Sequence, residues 1–282
     1  MKKDIEELIG REYPCLDKGF VRLVDVMGDD SSIVQAARVS YGKGTKSVNE
    51  DRGLIRYLMR HRHTTPFEMV EFKFHVKLPI FVARQWIRHR TANVNEYSGR
   101  YSEMKDDFYL PAADQIRLQS EINKQGRSDD LLDETAVNEI IEILKKNQNQ
   151  SFGDYKKMLD IGLAREIARI SLPVANYTEW YWKIDLQNLF HFLKLRLDEH
   201  AQYEIRVYSQ IIANMVRTAV PLAWEAFEDY QLDSFYFSKQ ELKALRKIIN
   251  FVIPENEDSF NNLSKRELTE FLIKLKKIEN IL

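Results

Sequence analysis

The chain has 282 residues, enough for one large domain or a domain with an appendage. Its composition, 44% hydrophobic and 30% charged with a formal net charge of −1, argues against a disordered chain and against a global positive field for nucleic acid or anionic membrane. No apolar run is long enough to span a bilayer, the charged start Met1–Glu7 has no apolar stretch after it to make a secretory signal, and the single cysteine, Cys15, cannot close an internal disulfide; a cytoplasmic protein is expected.

Cys15 follows Pro14 with no motif around it and reads as a partly buried, unreactive thiol. Residues 19–28 read as a β-strand, with Phe20, Arg22, Val24 and Val26 on one face and Val21, Leu23 and Asp25 on the other; glycines at both ends supply turns. Asp30-Ser31-Ser32 reads as a helix cap ahead of Ile33, Val34, Ala36 and Ala37. A second helix is expected from about Glu50 to Arg62, with Leu54, Ile55, Leu58 and Met59 on its apolar face. The clearest strand is 71–78, where Phe72, Phe74, Val76 and Leu78 alternate with Glu71, Lys73, His75 and Lys77, a pattern suited to an antiparallel sheet with one wet face. Pro79 stops the strand and starts a helix expected to run through about Arg90.

Residues 115–150 show helical spacing (Leu131, Leu132, Val137, Ile140, Ile141) and read as a surface helix with a loop around Gly126. A helix over 155–171 ends near Pro173. A long helix from about Gln187 to Val216 carries the stripe Leu189, Phe192, Leu193, Leu197, Ala201, Ile205, Tyr208 and Ile212. Ser238–Glu241 and Ser264–Glu267 both match the capping box, so two helices are expected around a Pro254–Asn262 loop. Strands and helices mix without regular β-α-β alternation, which favours an α+β fold with a central, largely antiparallel or mixed sheet and packed helices. The change of character near Asp233 divides the chain into residues 1–233 and a helical extension, 234–282.

Several common sites are absent. There is no Gly-x-Gly-x-x-Gly, and Gly42–Ser47 lacks the first glycine of a phosphate loop. No cysteine pair or His-Glu-x-x-His occurs, and neither His61 with His63 nor His191 with His200 brings a third ligand, so no metal site is expected. A nucleotide cofactor would have to be held by side chains.

The dense region is 84–101. Arg84, Arg88, Arg90, Arg100 and His89 fall there in a chain of nearly balanced charge, with Arg84 and Arg88, and Gln85 and His89, spaced i, i+4. Asn93, Asn95, Ser98 and Gly99 continue the polar run as turn formers that free backbone N–H groups. Arginine forks, free amides and a serine hydroxyl suit a phosphate. Glu96, the one acid in the run, could orient an arginine or accept from a ribose hydroxyl. The residues themselves point to an anionic small molecule or nucleotide and not to a particular one. A salt-bridged helix end is the plainer alternative. A nucleic-acid-binding module would also use the arginines, but it leaves Glu96 and the net charge unexplained. Arg165 and Arg169, spaced i, i+4, and Arg196, set in an apolar run, fit either structural ion pairs or the same site. Thr65 and Glu68 fit turn and cap roles as well as a site.

The string Arg88-His89-Arg90, Asn95-Glu96, Ser98 and Arg100 resembles the signature of flavin-dependent thymidylate synthases, Arg-His-Arg-x-x-Ser-x-Asn-Glu-x-Ser-x-Arg. The resemblance extends over about residues 15–230; Asn93 stands where the signature has Ser, and the segment from about 234 looks like an addition to the family core. It implies the fold of that family, a homotetramer with active sites between subunits, and reductive methylation of dUMP to dTMP. FAD and NADPH would be the reductants, 5,10-methylenetetrahydrofolate the carbon donor, and no enzyme cysteine would attack the pyrimidine. Carried over residue by residue, Gln85, Trp86, Ile87, Arg88, Glu96, Tyr97, Ser98, Gly99, Arg100 and Arg169 hold dUMP, with the Ser98–Arg100 loop at its phosphate. Arg196 polarises the uracil and is the catalytic residue. Thr65, Arg88, His89, Arg90, Glu96, Asp185, Leu186, Gln187 and His191 match FAD contacts, and Ser40 and His63 match positions near flavin and folate.

Overall fold

The computed structural model describes residues 2–39, 48–121, 124–248, 260 and 262–279. They form two compact units, Met1–Leu232 and Asp233–Leu282. Ser40 and the Gly42–Ser47 stretch lie outside the described residues.

In chain order the first unit contains α1 (Lys2–Leu8), β1 (Glu12–Cys15), β2 (Gly19–Met27), α2 (Asp30–Val39), α3 (Val48–Arg60), β3 (Glu71–Pro79), α4 (Ile80–Trp86) and β4 (Asn93–Glu96). Then come β5 (Arg117–Gln119), β6 (Arg127–Leu131), α5 (Glu134–Asp160), α6 (Arg165–Ala168), β7 (Tyr177–Asp185), α7 (Leu186–Arg196), α8 (Tyr203–Ala219) and α9 (Pro221–Phe227). Five strands make one antiparallel sheet in the order β1-β2-β3-β7-β4, and β5 and β6 form a separate hairpin. This is the α+β class expected.

The alternation of β3 works as written in its sequence. Phe72, Phe74, Val76 and Leu78 are fully buried. With Val21, Leu23, Trp180, Trp182 and Ile184 they make the face on which α4, α7 and α8 pack. Trp86 of α4 is the centre of that layer: it stacks on Phe192 at 4.8 Å and meets Trp180 and Trp182 edge-on at 5.7 and 5.1 Å. The opposite face carries polar pairs, Glu71–Lys183, His75–Glu179 and Lys77–Asp107.

Several local expectations are corrected. In β2 the register shifts between Leu23 and Asp25, so Val26 pairs with buried Phe72 and joins the face of Val21 and Leu23. Helix α4 ends at Trp86, not near Arg90, so Arg88 and His89 lie in the turn beyond it and the i, i+4 pairs are not on one helix; Asn93–Glu96, expected as turn, is the edge strand β4. In the 115–150 region, Leu131 closes the β5–β6 hairpin, and the helix starts after Asp133, whose side chain accepts from Ala136 N at 2.9 Å. That helix runs on to Asp160. Gly162, with φ 95°, ends it and separates it from α6. The long helix over 187–216 is two, because Asp198 accepts from His200 N at 2.8 Å and fixes a turn between α7 and α8. Strand β7 and helix α9 were not expected. The start of α2 is capped by Asp29, which accepts from Ser31 N at 2.9 Å. Buried Asp30 instead caps α9, accepting from Leu222 N and Ala223 N at 2.9 Å each, where Val220 has no group to do so.

In the second unit, α10 (Lys239–Ile248) and α11 (Lys265–Glu279) begin with the capping boxes written in the sequence. Ser238 N donates to Glu241 at 2.7 Å and Ser264 N to Glu267 at 2.9 Å, and the two serine hydroxyls accept in return. Apart from Phe260 and Asn262, the Pro254–Asn262 loop lies outside the described residues.

Candidate active site

The site is built where the edge strand β4 meets the ends of α4 and α7. Asn93–Glu96 pairs with Lys183–Trp180, and the segment before it lies along α7, with His89 at Arg196 and Thr91 at Asn188. Thr91 Oγ1 donates to Asn188 Oδ1 at 2.8 Å, and Asn188 donates from N and Nδ2 to the two oxygens of Asp185 at 2.9 and 2.7 Å. Asp185, expected at the flavin, is thus also the N-cap of α7, and Asn188 joins it to the Arg-His-Arg segment.

Arg196 ends α7. Its Nε donates to His89 Nε2 at 3.0 Å, which requires that ring nitrogen to be an unprotonated acceptor. The imidazole is set for this. It lies edge-on to Phe192 at 4.9 Å, and burial, then the Arg196 and His191 charges, push its pKa down to about 4. Burial and the neighbouring Arg88 charge lower that of Arg196. Its two terminal nitrogens have no partner among the described residues, so a half-buried cation is held by its stem side with its fork free. His191 stands by at 5.9 Å from the His89 ring.

A second group forms around the 97–105 loop. Gly99 is buried, and a Cβ there would lie 2.7 Å from Met104 Sδ and 3.1 Å from Arg169 Cδ, so any side chain at this position displaces the flexible ends of both. Tyr97 OH donates to Glu103 O at 2.6 Å, Arg100 N to Ser98 Oγ at 3.3 Å, and Met104 N to the buried Tyr155 hydroxyl at 2.9 Å. Arg100 Nε holds Glu166 at 3.2 Å, and Arg165 reaches Tyr101 O at 3.2 Å. The loop is therefore fixed before any ligand arrives, with Arg169 at its glycine.

Arg84, Arg88, Arg90 and Arg169 have no acidic partner among the described residues, and Gln85 Oε1 is buried without a hydrogen bond. Arginines without acids and an orphaned amide oxygen fit a ligand that brings anionic groups and donors. The side chain of Trp86 belongs to the core, whereas Ile87 is exposed. Leu186 is buried, and its N donates to Val70 O at 2.8 Å; Gln187 is half-buried. His63 and Thr65 are exposed and make no hydrogen bond to the arginine group. His63 follows α3 through Arg62, whose φ of 58° and 3.2 Å bond to Met59 O close a Schellman turn, and it lies against Tyr57 at 5.7 Å. Among the described residues no group of three or more His, Cys, Asp or Glu could hold a metal ion. Sequence reasoning missed Asn188, Thr178 and Tyr155. Only Asn188, three residues after a capping Asp, carried a local signal.

A guanidinium with a free fork, arginines without acids and an orphaned amide oxygen make a site for an anionic small molecule. The solved UMP/dUMP methylase PolB from Streptomyces cacaoi, bound with 5-Br dUMP, is similar at TM-score 0.71 and 32% identity, covering 78% of this chain and 99% of that one. The same protein bound with 5-Br UMP gives TM-score 0.70 and 34% identity over 76% and 96%. The flavin-dependent thymidylate synthase of Thermus thermophilus is 58% identical over 262 residues, 93% of this chain and 95% of that protein. That of Ehrlichia ruminantium (strain Gardel) is 55% identical over 269 residues, 95% and 90%. The family described as thymidylate synthase complementing protein matches residues 22–222, and this chain belongs to it. A match over 95% of the chain takes in most of the second unit, so that segment is shared with such relatives and not peculiar to this chain.

Proposed function

We infer that the chain is a flavin-dependent thymidylate synthase, a methyltransferase that converts dUMP to dTMP. The observation that carries the chemistry is Arg196: a guanidinium fixed through Nε by neutral His89, with both terminal nitrogens free. Methylation at C5 of a uracil needs electron density there, which ionisation at N3 supplies. A desolvated, pre-oriented cation stabilises the negative charge that develops on the ring. Arg88, unpaired beside it, adds to the field.

The Ser98–Arg100 loop and Arg169 hold the nucleotide phosphate through arginine forks and backbone N–H groups. Gln85 supplies the buried acceptor that now lacks a partner, and Glu96 accepts from the nucleoside. The chain offers no thiol for attack on the ring. Cys15, its one cysteine, is buried in β1, and burial pushes its thiol pKa far up.

The cofactor proposed is FAD, held by Thr65, Arg88, His89, Arg90, Glu96, Gln187 and His191. The donor set fits: cationic forks suit a pyrophosphate, and exposed Glu96 and His191 suit a polar ring edge. When bound, reduced flavin supplies the hydride that completes the methyl group, with NADPH as reductant and 5,10-methylenetetrahydrofolate as carbon source. A homotetramer with sites between subunits is proposed as well. Exposed Ile161, Ile167 and Ile170 flank Arg165 and Arg169, and such an apolar band suits burial by a second copy. A single buried thiol suits the cytoplasm.

The test is dTMP formation from dUMP, 5,10-methylenetetrahydrofolate and NADPH, with and without added FAD. FAD-dependent product is expected. Folded, flavin-loaded protein that forms none overturns the assignment.

A further inference from the structure

Glu96 is the only acid between Arg84 and Tyr101, yet it pairs with none of the arginines around it. Among the described residues it makes no ion pair at all. Its carboxylate takes one side-chain hydrogen bond, from Thr178 Oγ1 to Oε1 at 2.8 Å.

The sheet produces this contact. Glu96 ends the edge strand β4 opposite Trp180, and Thr178 lies two residues along β7, the diagonal neighbour on the same face. Thr178 is 3% exposed, set opposite fully buried Leu78 of β3, so its hydroxyl has little access to water. An ionised carboxylate only accepts, so the threonine hydroxyl must donate. Tyr97 N donates to Glu179 O at 2.8 Å and prevents the strand end from drifting away. One carboxylate oxygen is thereby tied to a rigid strand, and Oε2 has no hydrogen-bond partner among the described residues.

We propose that Thr178 is a positioning residue: its buried hydroxyl fixes Glu96 so that Oε2 accepts from a hydrogen-bond donor of the bound pyrimidine nucleotide. The proposal rests on the reading of the site as one for dUMP. An unpinned, exposed glutamate would sample several rotamers, and ordering Oε2 on binding would then weaken the contact with the ligand. The threonine therefore acts by keeping the acceptor in one place before the ligand arrives.

The experiment is calorimetric binding of dUMP to the flavin-loaded enzyme, with kcat and KM for dUMP measured alongside. Thr178→Val keeps shape and burial and removes the donor. It should weaken dUMP binding about tenfold at matched flavin occupancy, read from visible absorbance, with melting temperature unchanged. Thr178→Ser should restore binding. In a Glu96→Ala background, Thr178→Val should have no further effect, because the threonine acts only through the glutamate. Unchanged dUMP affinity in Thr178→Val overturns the proposal, and so does an equal loss in both backgrounds, which would mark a purely structural threonine. Wild-type protein that loads flavin and does not bind dUMP refutes the reading of the site itself, and the proposal with it.

Discussion

Replacing His89 tests how Arg196, the cation proposed to be catalytic, is held. The Arg196 Nε–His89 Nε2 bond is 3.0 Å long and links residues 107 apart in the chain, so no neighbour in sequence can substitute for it. A hydrogen bond that involves a charged group contributes ~1.5–3 kcal/mol. If the bond serves to aim the guanidinium in the transition state, His89→Ala should lower kcat by ~10–150-fold. His89→Gln returns an acceptor oxygen and should fall between the two. The assay is single-turnover dTMP formation on enzyme saturated with flavin, with occupancy read from visible absorbance so that lost cofactor is not counted as lost rate. Flavin-loaded His89→Ala turning over at the wild-type rate refutes the reasoning. The pH dependence follows from the same bond. The ring pKa is pushed down from 6.5 to about 4, so the neutral acceptor persists through the physiological range and is lost only as pH falls toward 4. Protonation there breaks the bond and sets a second cation against Arg196. An acid limb near the ordinary imidazole value that disappears in His89→Gln would contradict this.

Cys15→Ala should keep its turnover, since the thiol is buried and its pKa raised; a folded, flavin-loaded but inactive variant would require a thiol mechanism. Gly99→Ala should raise KM for dUMP about tenfold without unfolding the protein, because the new methyl would push the flexible ends of Met104 and Arg169 and not backbone; steady-state kinetics on dUMP check it. Asp30→Asn should change the pH dependence of stability. Burial raises this carboxyl from 3.8 to about 6, about two units or ~3 kcal/mol, so its contribution is present below pH 3.8 and is lost as pH rises through 6. Denaturant titrations from pH 4 to 7 should show a shallower fall in the variant, and equal slopes would disprove the assignment.

Much of the fold was legible where side chains alternate against one face. The strand at 71–78 is such a case, and the two serine-led capping boxes are another, because both signals are local. Strand β4 was not legible. All four of its residues are exposed, and two are asparagines; it is a strand only because β7 offers it a ladder. The stripe running through Leu193, Leu197 and Ala201 hid the break between α7 and α8. Both helices pack on the same core, so the apolar spacing continues while Asp198 turns the chain. Arg84 and Arg88 misled in the opposite sense, showing helical spacing across a helix end. In the site, the signature residues were readable as a string, but their partners were not. Thr178 is 82 residues from Glu96, and no pattern in either segment announces the other.

The arginines show why the functional set could not be separated by composition. With 42 basic and 43 acidic residues, the chain could pair nearly every charge. On α3 it does so: Arg52 and Arg56 both hold Glu225, with Arg56 also on Asp229, and they tie α3 to α9. Arg127 likewise holds buried Glu204 at 2.7 Å and fixes the β5–β6 hairpin to α8. Among the described residues Arg84, Arg88, Arg90 and Arg169 are left without acids, and Glu96, the one acid between Arg84 and Tyr101, is held by a threonine. Unpaired cations repel one another, and Arg88 already lowers the pKa of Arg196. That repulsion is offset only when a polyanion binds. A nearly neutral chain can therefore present a strongly positive site by placing its acids elsewhere, and the free arginines mark where the ligand must supply the missing charge.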